Sequence, residues 1–193
     1  DYERFVEIAN EVWAIAYADV SHIAGFIAAG LLKNPLDYGF HAMMTTTHKS
    51  LRGPRWALIL SKGVVWNPLK KPEFSIENIP TLIDRAVFPG MQWGPHMNTI
   101  AAIAVALWEV QTSDFSHYAQ QTLKNAKAMA DEFLGLGYDL VTGGTDNHMM
   151  LLDFSKEEFD GGEVEKVLDK VWISVSKSLV PNDLRPAFAP SGL

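Results

Sequence analysis

The chain holds 193 residues, 48% of them hydrophobic and 20% charged, enough apolar content for a buried core and too much for a disordered or fibrous protein. A net charge of −7 and a pI near 5.3, without any cluster of lysine and arginine, argue against a general binder of nucleic acid or membrane surface and leave small molecules as the expected partners. The absence of cysteine excludes disulfides, a thiolate nucleophile and cysteine-based metal sites.

Tyr2, Phe5, Ala9 and Val12 recur at helical spacing with charges between them and predict an amphipathic helix over the first dozen residues. Residues 14–20 predict a short strand that ends at about Asp19, and residues 23–32 a second helix closed by the Asn34-Pro35 turn. Two more strands are predicted at 40–46 and 56–61. This alternation, with short connections, argues for a mostly parallel sheet with helices on its faces. Residues 62–71 read as a proline-bearing connection and 73–86 as weak helix leading into Phe88-Pro89-Gly90. Residues 99–110 are apolar almost all round and predict a buried helix, whereas Ala119, Thr122, Ala126, Met129 and Phe133 mark one face of another that ends near Gly137. Strands follow at 138–141 and 149–154 around Gly143-Gly144. Val164, Val167, Leu168 and Val171 then form a helical stripe, with a last strand at 172–175. The longest apolar run, 100–108, is too short to span a bilayer, and a soluble protein is expected. The change of pattern places a domain boundary near Met97, dividing 1–97 from 98–193.

Residues 43–55, MMTTTHKSLRGPR, hold the densest chemistry. An apolar approach runs into three threonines, His48, Lys49 and a Gly53-Pro54 turn before apolar residues resume at Trp56. A lysine at a strand end lies where open α/β sheets present ligand contacts, and partial desolvation there frees the amine for carbonyl chemistry. On chemistry alone, a solvated loop lysine is the commoner case. Asp19 also has two readings, a ligand contact at a strand end or a carboxylate that starts a turn or caps the next helix. Gly90 and Gly94 permit backbone N–H groups to converge on an anion, although such a pair usually marks only a turn. His148 stands at the mouth of an apolar strand with no second ligand at metal spacing. It reads as structural, and no metal site is expected.

The segment TTTHKSLRGPR resembles the pyridoxal-phosphate lysine segment of serine hydroxymethyltransferases. Asp19 to His22 is similar to that family's Asp-x-x-His, residues 88–95 (FPGMQWGP) to its glycine-rich loop, and residues 143–148 (GGTDNH) and 190–193 (PSGL) to two further signatures, all in family order across the chain. The resemblance implies an α/β protein of the pyridoxal-phosphate-dependent transferase fold type I, aspartate-aminotransferase-like. The chain would span the C-terminal half of its large domain, with a mostly parallel sheet, and most of a small α+β domain. It implies that Lys49 carries pyridoxal 5'-phosphate covalently, that Asp19 partners the pyridine nitrogen, that His22 lies beside the ring's phenolic oxygen, and that His48 and Thr46 line the site. Arg55 matches an arginine that helps to hold the lysine region. Gly94 matches a backbone contact to the cofactor phosphate across a dimer interface, although Trp93 stands where the family has glycine. Residues 180–188 resemble a folate-contacting stretch, which makes Pro186, Ala187 and Phe188 the expected contacts to substrate or tetrahydrofolate. Before it, Ser176-Lys177-Ser178 replaces the family's Asn-Lys-Asn. The implied reaction moves the hydroxymethyl carbon of serine to tetrahydrofolate and leaves glycine. The implied setting is a cytoplasmic homodimer or homotetramer, with mitochondrion or plastid as the alternative compartments. A threonine-aldolase-like lyase without folate and a catalytically silent scaffold are the rival readings. Because the sequence opens inside a predicted helix and stops directly after PSGL, it is expected to be an internal fragment, inactive by itself.

Overall fold

Asp1 accepts the Arg4 amide at 3.1 Å and so caps α1, Tyr2–Glu11, satisfying one of the donors that every helix start leaves open. The computed structural model describes residues 1–63 and 78–193, in two compact units, Asp1–Ala119 and Gln120–Leu193. The buried side of α1 is Val6 and Ala9. Val12 of the predicted stripe is exposed, and Tyr2 and Phe5 instead meet the Phe40 ring, with centroids 5.5 Å away in both cases.

In the first unit β1, Tyr17–Asp19, runs parallel to β2, Ala42–Thr46, with Tyr17 opposite Ala42 and Asp19 opposite Met44. β1 is shorter than predicted because Ala14 is still tied to the end of α1, its amide donating to the Ala9 carbonyl at 2.8 Å. The crossover passes through α2, Ala24–Ala28, and a 3₁₀ turn, Pro35–Tyr38. Gly30, at φ 71°, stops α2 before the predicted Leu32. β3, Ala57–Ser61, pairs antiparallel with β2, Thr46 opposite Ala57. The sheet order β1-β2-β3 thus combines one parallel and one antiparallel pair, which corrects the expectation of a mostly parallel sheet. The cause is length: residues 47–56 hold no helix and are fewer than the roughly dozen that a parallel crossover takes.

The predicted stretch 62–71 and the start of 73–86 fall largely outside the described residues. Its remainder forms α3, Ile79–Arg85, whose turns continue to Met91 across a cis Phe88-Pro89 bond. α4, Met97–Glu109, is helical as predicted but not buried: Ile103 and Ala106 face inward while Met97, Ile100, Val105 and Trp108 are exposed. An apolar helix is covered only where a neighbour lies against it. α5, Ser113–Gly135, buries Ala119 and Ala126 of the predicted face together with Phe115 and Ala130, whereas the predicted Met129 is 53% exposed.

The second unit packs Ala130, Leu140, Leu152 and Phe154 into one core, flanked by Phe133, Val164 and Leu193. β4, Asp139–Leu140, and β5, Leu152–Asp153, pair antiparallel. α6, Gly161–Asp169, opens on a capping box in which Asp160 and Glu163 satisfy each other's amides. The strand predicted at 172–175 does not form. Trp172 takes a left-handed φ of 64° and the Ile173 amide returns to the Leu168 carbonyl at 3.0 Å, so these residues are used in leaving α6. Beside β5 runs the chain's last segment instead, Leu152 and Leu193 exchanging amide-to-carbonyl bonds of 2.9 and 3.2 Å. Val167 and Val171 of the predicted α6 stripe are exposed.

Candidate active site

Because β1 and β2 are parallel, their C-terminal residues Asp19 and Thr46 open on the same sheet edge, the edge at which α/β proteins gather ligand contacts. Asp19 Oδ1 accepts both the Ser21 amide at 2.9 Å and the Ser21 hydroxyl at 2.5 Å. The same hydroxyl accepts the Thr46 amide at 3.1 Å. The hydroxyl bond first, then the amide bond, holds the Asp19 carboxyl below its ordinary range against a small opposing effect of burial. Lys49 and His22 stand close enough for their charge to add to that pull. Asp19, His22, Thr46 and Lys49 therefore share one edge.

The loop that carries Lys49 is held at several points. The Thr47 amide donates to the Trp56 carbonyl at 3.0 Å, the Thr47 hydroxyl to the Pro54 carbonyl at 2.6 Å, and the Gly53 amide returns to the Thr47 carbonyl at 2.7 Å. Ser50 accepts the Gly25 amide on its hydroxyl at 3.0 Å, and a Cβ on Gly25 would fall on the Ser50 carbonyl oxygen. The α2 backbone thus lies directly against the residue after the lysine. Arg52 adopts φ 58° and lays its guanidinium over Phe115 and Tyr118, 4.9 and 4.7 Å from the ring centroids.

Ser21, Ser50, Gly25 and Arg52 had no role in the sequence reading. Ser21 and Ser50 lie beside motif residues, yet nothing in their spacing shows that each bonds across the sheet edge to a distant segment. Arg55, singled out by resemblance, is exposed and makes no hydrogen bond or ion pair among the described residues. Gly94 is exposed, and among the described residues no atom lies within 4 Å of where a Cβ would stand. Neighbouring Trp93 turns its ring onto Phe88, edge to face at 5.7 Å. Pro186, Ala187 and Phe188 belong to the second unit and are exposed. Among the described residues no group of three or more His, Cys, Asp or Glu could hold a metal.

At the strand-end edge two buried polar atoms, Thr46 Oγ1 and His48 Nδ1, have no hydrogen-bond partner among the described residues, a state that buried polar groups seldom keep. With them stand a carboxylate, an ammonium and an imidazole. That donor set fits pyridoxal phosphate, whose aldehyde takes an amine and whose protonated ring nitrogen takes a carboxylate. The family model for serine hydroxymethyltransferase, a group of fold-type-I pyridoxal-phosphate enzymes, matches residues 1–193. Site chemistry and whole-length match agree: the chain belongs to the serine hydroxymethyltransferase family.

Proposed function

We propose that the Asp19–Lys49 edge is the pyridoxal-phosphate site of an enzyme that moves the hydroxymethyl carbon of serine to tetrahydrofolate and leaves glycine. The observation that carries this reading is the placement of Asp19 and Thr46, three residues before Lys49, at the C-terminal ends of two parallel strands, in a chain matched over its whole length by the family. When bound, the cofactor supplies an electron sink for the substrate's alpha carbon. Lys49 would hold it covalently through its amine, Asp19 would pair with the protonated ring nitrogen, and His22 would lie beside the ring's phenolic oxygen. Thr46 and His48 provide the polar lining that their unsatisfied atoms call for.

Folate is proposed to lie against residues 180–188, where Phe188 and Leu184 extend into solvent from a segment that Asp183 fastens by bonds to the amides of Val180, Arg185 and Ser191. Gly94 and Arg55 are proposed to meet the cofactor phosphate and the lysine segment in a homodimer or homotetramer. The exposed Phe88, Met91 and Trp93 beside Gly94 support a partner at that loop.

Borohydride reduction of the cofactor-loaded protein, followed by peptide mapping, is expected to leave the pyridoxyl group on Lys49, and a label on another lysine overturns the site. Glycine formation from serine is expected to depend on tetrahydrofolate. Cleavage of beta-hydroxy amino acids at a rate indifferent to folate points instead to an aldolase-like lyase at the same site.

A further inference from the structure

Ser21 connects two segments that lie 25 residues apart in the chain. The residue is 4% exposed, and its hydroxyl is engaged on both sides, donating its single proton to Asp19 Oδ1 and accepting the Thr46 amide. Met44 Sδ lies 3.8 Å from the same oxygen. Backbone pairing already aligns the two strands, the Val20 amide donating to the Met44 carbonyl at 2.9 Å. Pairing of backbones leaves the Asp19 side chain free to rotate. The Ser21 amide and hydroxyl, both on Oδ1, remove that freedom with two bonds to a charged acceptor, the stronger kind of hydrogen bond.

We propose that Ser21 is a positioning residue, which locks the Asp19 carboxylate to the end of β2 and so sets its place relative to the segment that carries Lys49. An alanine at this position leaves Oδ1 with one donor instead of two and removes the acceptor from the Thr46 amide. The groups whose charge couples to Asp19 are Lys49 and His22, which favour the ionised carboxylate, and Tyr17, whose own ionisation the carboxylate opposes. The inference rests on the proposed cofactor reading for its consequence alone: a carboxylate held in one orientation is a ready acceptor for the ring nitrogen's proton.

The test compares the parent with Ser21→Ala in three measurements. Two use cofactor-free protein: titration of the Asp19 carboxyl by carbon-detected NMR, and hydrogen exchange of the Thr46 amide. The third is the dissociation constant for pyridoxal phosphate from an absorbance titration. In Ser21→Ala the carboxyl is expected to titrate at higher pH and the Thr46 amide to exchange faster. The dissociation constant should rise roughly ten- to a hundredfold, as for one hydrogen bond to a charged group. A parental Asp19 titration in Ser21→Ala, or an unchanged dissociation constant for pyridoxal phosphate, overturns the proposal. If the parent itself shows no saturable binding of pyridoxal phosphate while Asp19 and Thr46 respond as expected, the cofactor reading fails and the positioning of Asp19 by Ser21 stands.

Discussion

Two carboxylates, one in each unit, carry most of the residue-scale consequences. On the proposed cofactor reading Asp19 matters through its charge, so Asp19→Asn keeps shape and would lose the partner of a protonated ring nitrogen. Cofactor affinity should fall at least as far as in Ser21→Ala, and turnover at saturating cofactor by roughly a hundred- to a thousandfold, the loss seen when one preorganised electrostatic group is removed. Single-turnover kinetics beside an absorbance titration checks this, and near-parental turnover contradicts it. Asp183 organises the second unit's last segment. Burial alone raises its pKa, but the amides of Arg185 and Ser191, the Ser191 hydroxyl and the Val180 amide outweigh that and lower it to about 2. A carboxyl depressed in the folded state gives stability that is present above its unfolded value of about 3.9 and is lost as the pH falls through the folded one. Asp183→Ala should therefore unfold at lower temperature than the parent at neutral pH. The gap should close below about pH 2, where the parent's carboxyl is protonated as well. Thermal unfolding followed across that pH range decides it, since an equal gap throughout would mean that the charge plays no part.

At the scale of elements, α2 and the lysine loop are tested by glycines that differ in surroundings. A methyl on Gly25 meets backbone of Ser50 that cannot step aside, so Gly25→Ala should cost roughly 1–3 kcal/mol through overpacking and displace the loop. Gly135, at the end of α5, has nothing among the described residues within 4 Å of its Cβ position. Gly135→Ala should gain about 0.4–1 kcal/mol by reducing the freedom of the unfolded chain. Denaturant midpoints at constant m-value measure both, and equal effects would remove the distinction drawn here. In α6 the Asp160 side chain accepts the Glu163 amide at 2.9 Å. Asp160→Ala should lower stability by about 1 kcal/mol, the usual contribution of an N-cap.

For the whole molecule, the exposed apolar residues of the first unit are the largest unexplained feature. Met97, Ile100, Val105 and Trp108 on α4, with Phe88, Met91 and Trp93 before it, are all open to solvent, which is uncommon for a monomer. Family membership supports oligomerisation, and sedimentation velocity at micromolar concentration is expected to report a dimer or larger species. Trp108→Glu should shift that equilibrium toward monomer, whereas a parent that is monomeric at every concentration contradicts the reading.

Much of this molecule is local, and the local part was legible in the sequence. The helical spacing of Tyr2 to Val12, the apolar runs at 40–46 and 56–61 and the threonine-histidine-lysine segment between them announced α1, β2, β3 and the Lys49 loop, because period, turn residues and strand ends are properties of neighbours along the chain. Asp19 and Lys49 were also visible as strand-end residues, although a separation of 30 positions hid their proximity until the Tyr17–Ala42 register was known. Tertiary structure alone decided the direction of β3, the open face of α4, the failure of a strand at 172–175 and the tie from Ser21 to Asp19 and Thr46. Each depends on what lies opposite: a loop too short to cross over, a helix face without a neighbour, a strand edge beside which the chain's last residues run, a hydroxyl whose second partner comes from a distant strand. Spacing within a segment carries no information about such partners, which is why the family motif led to the lysine and the coordinates were needed to find the serine that orients its counterpart.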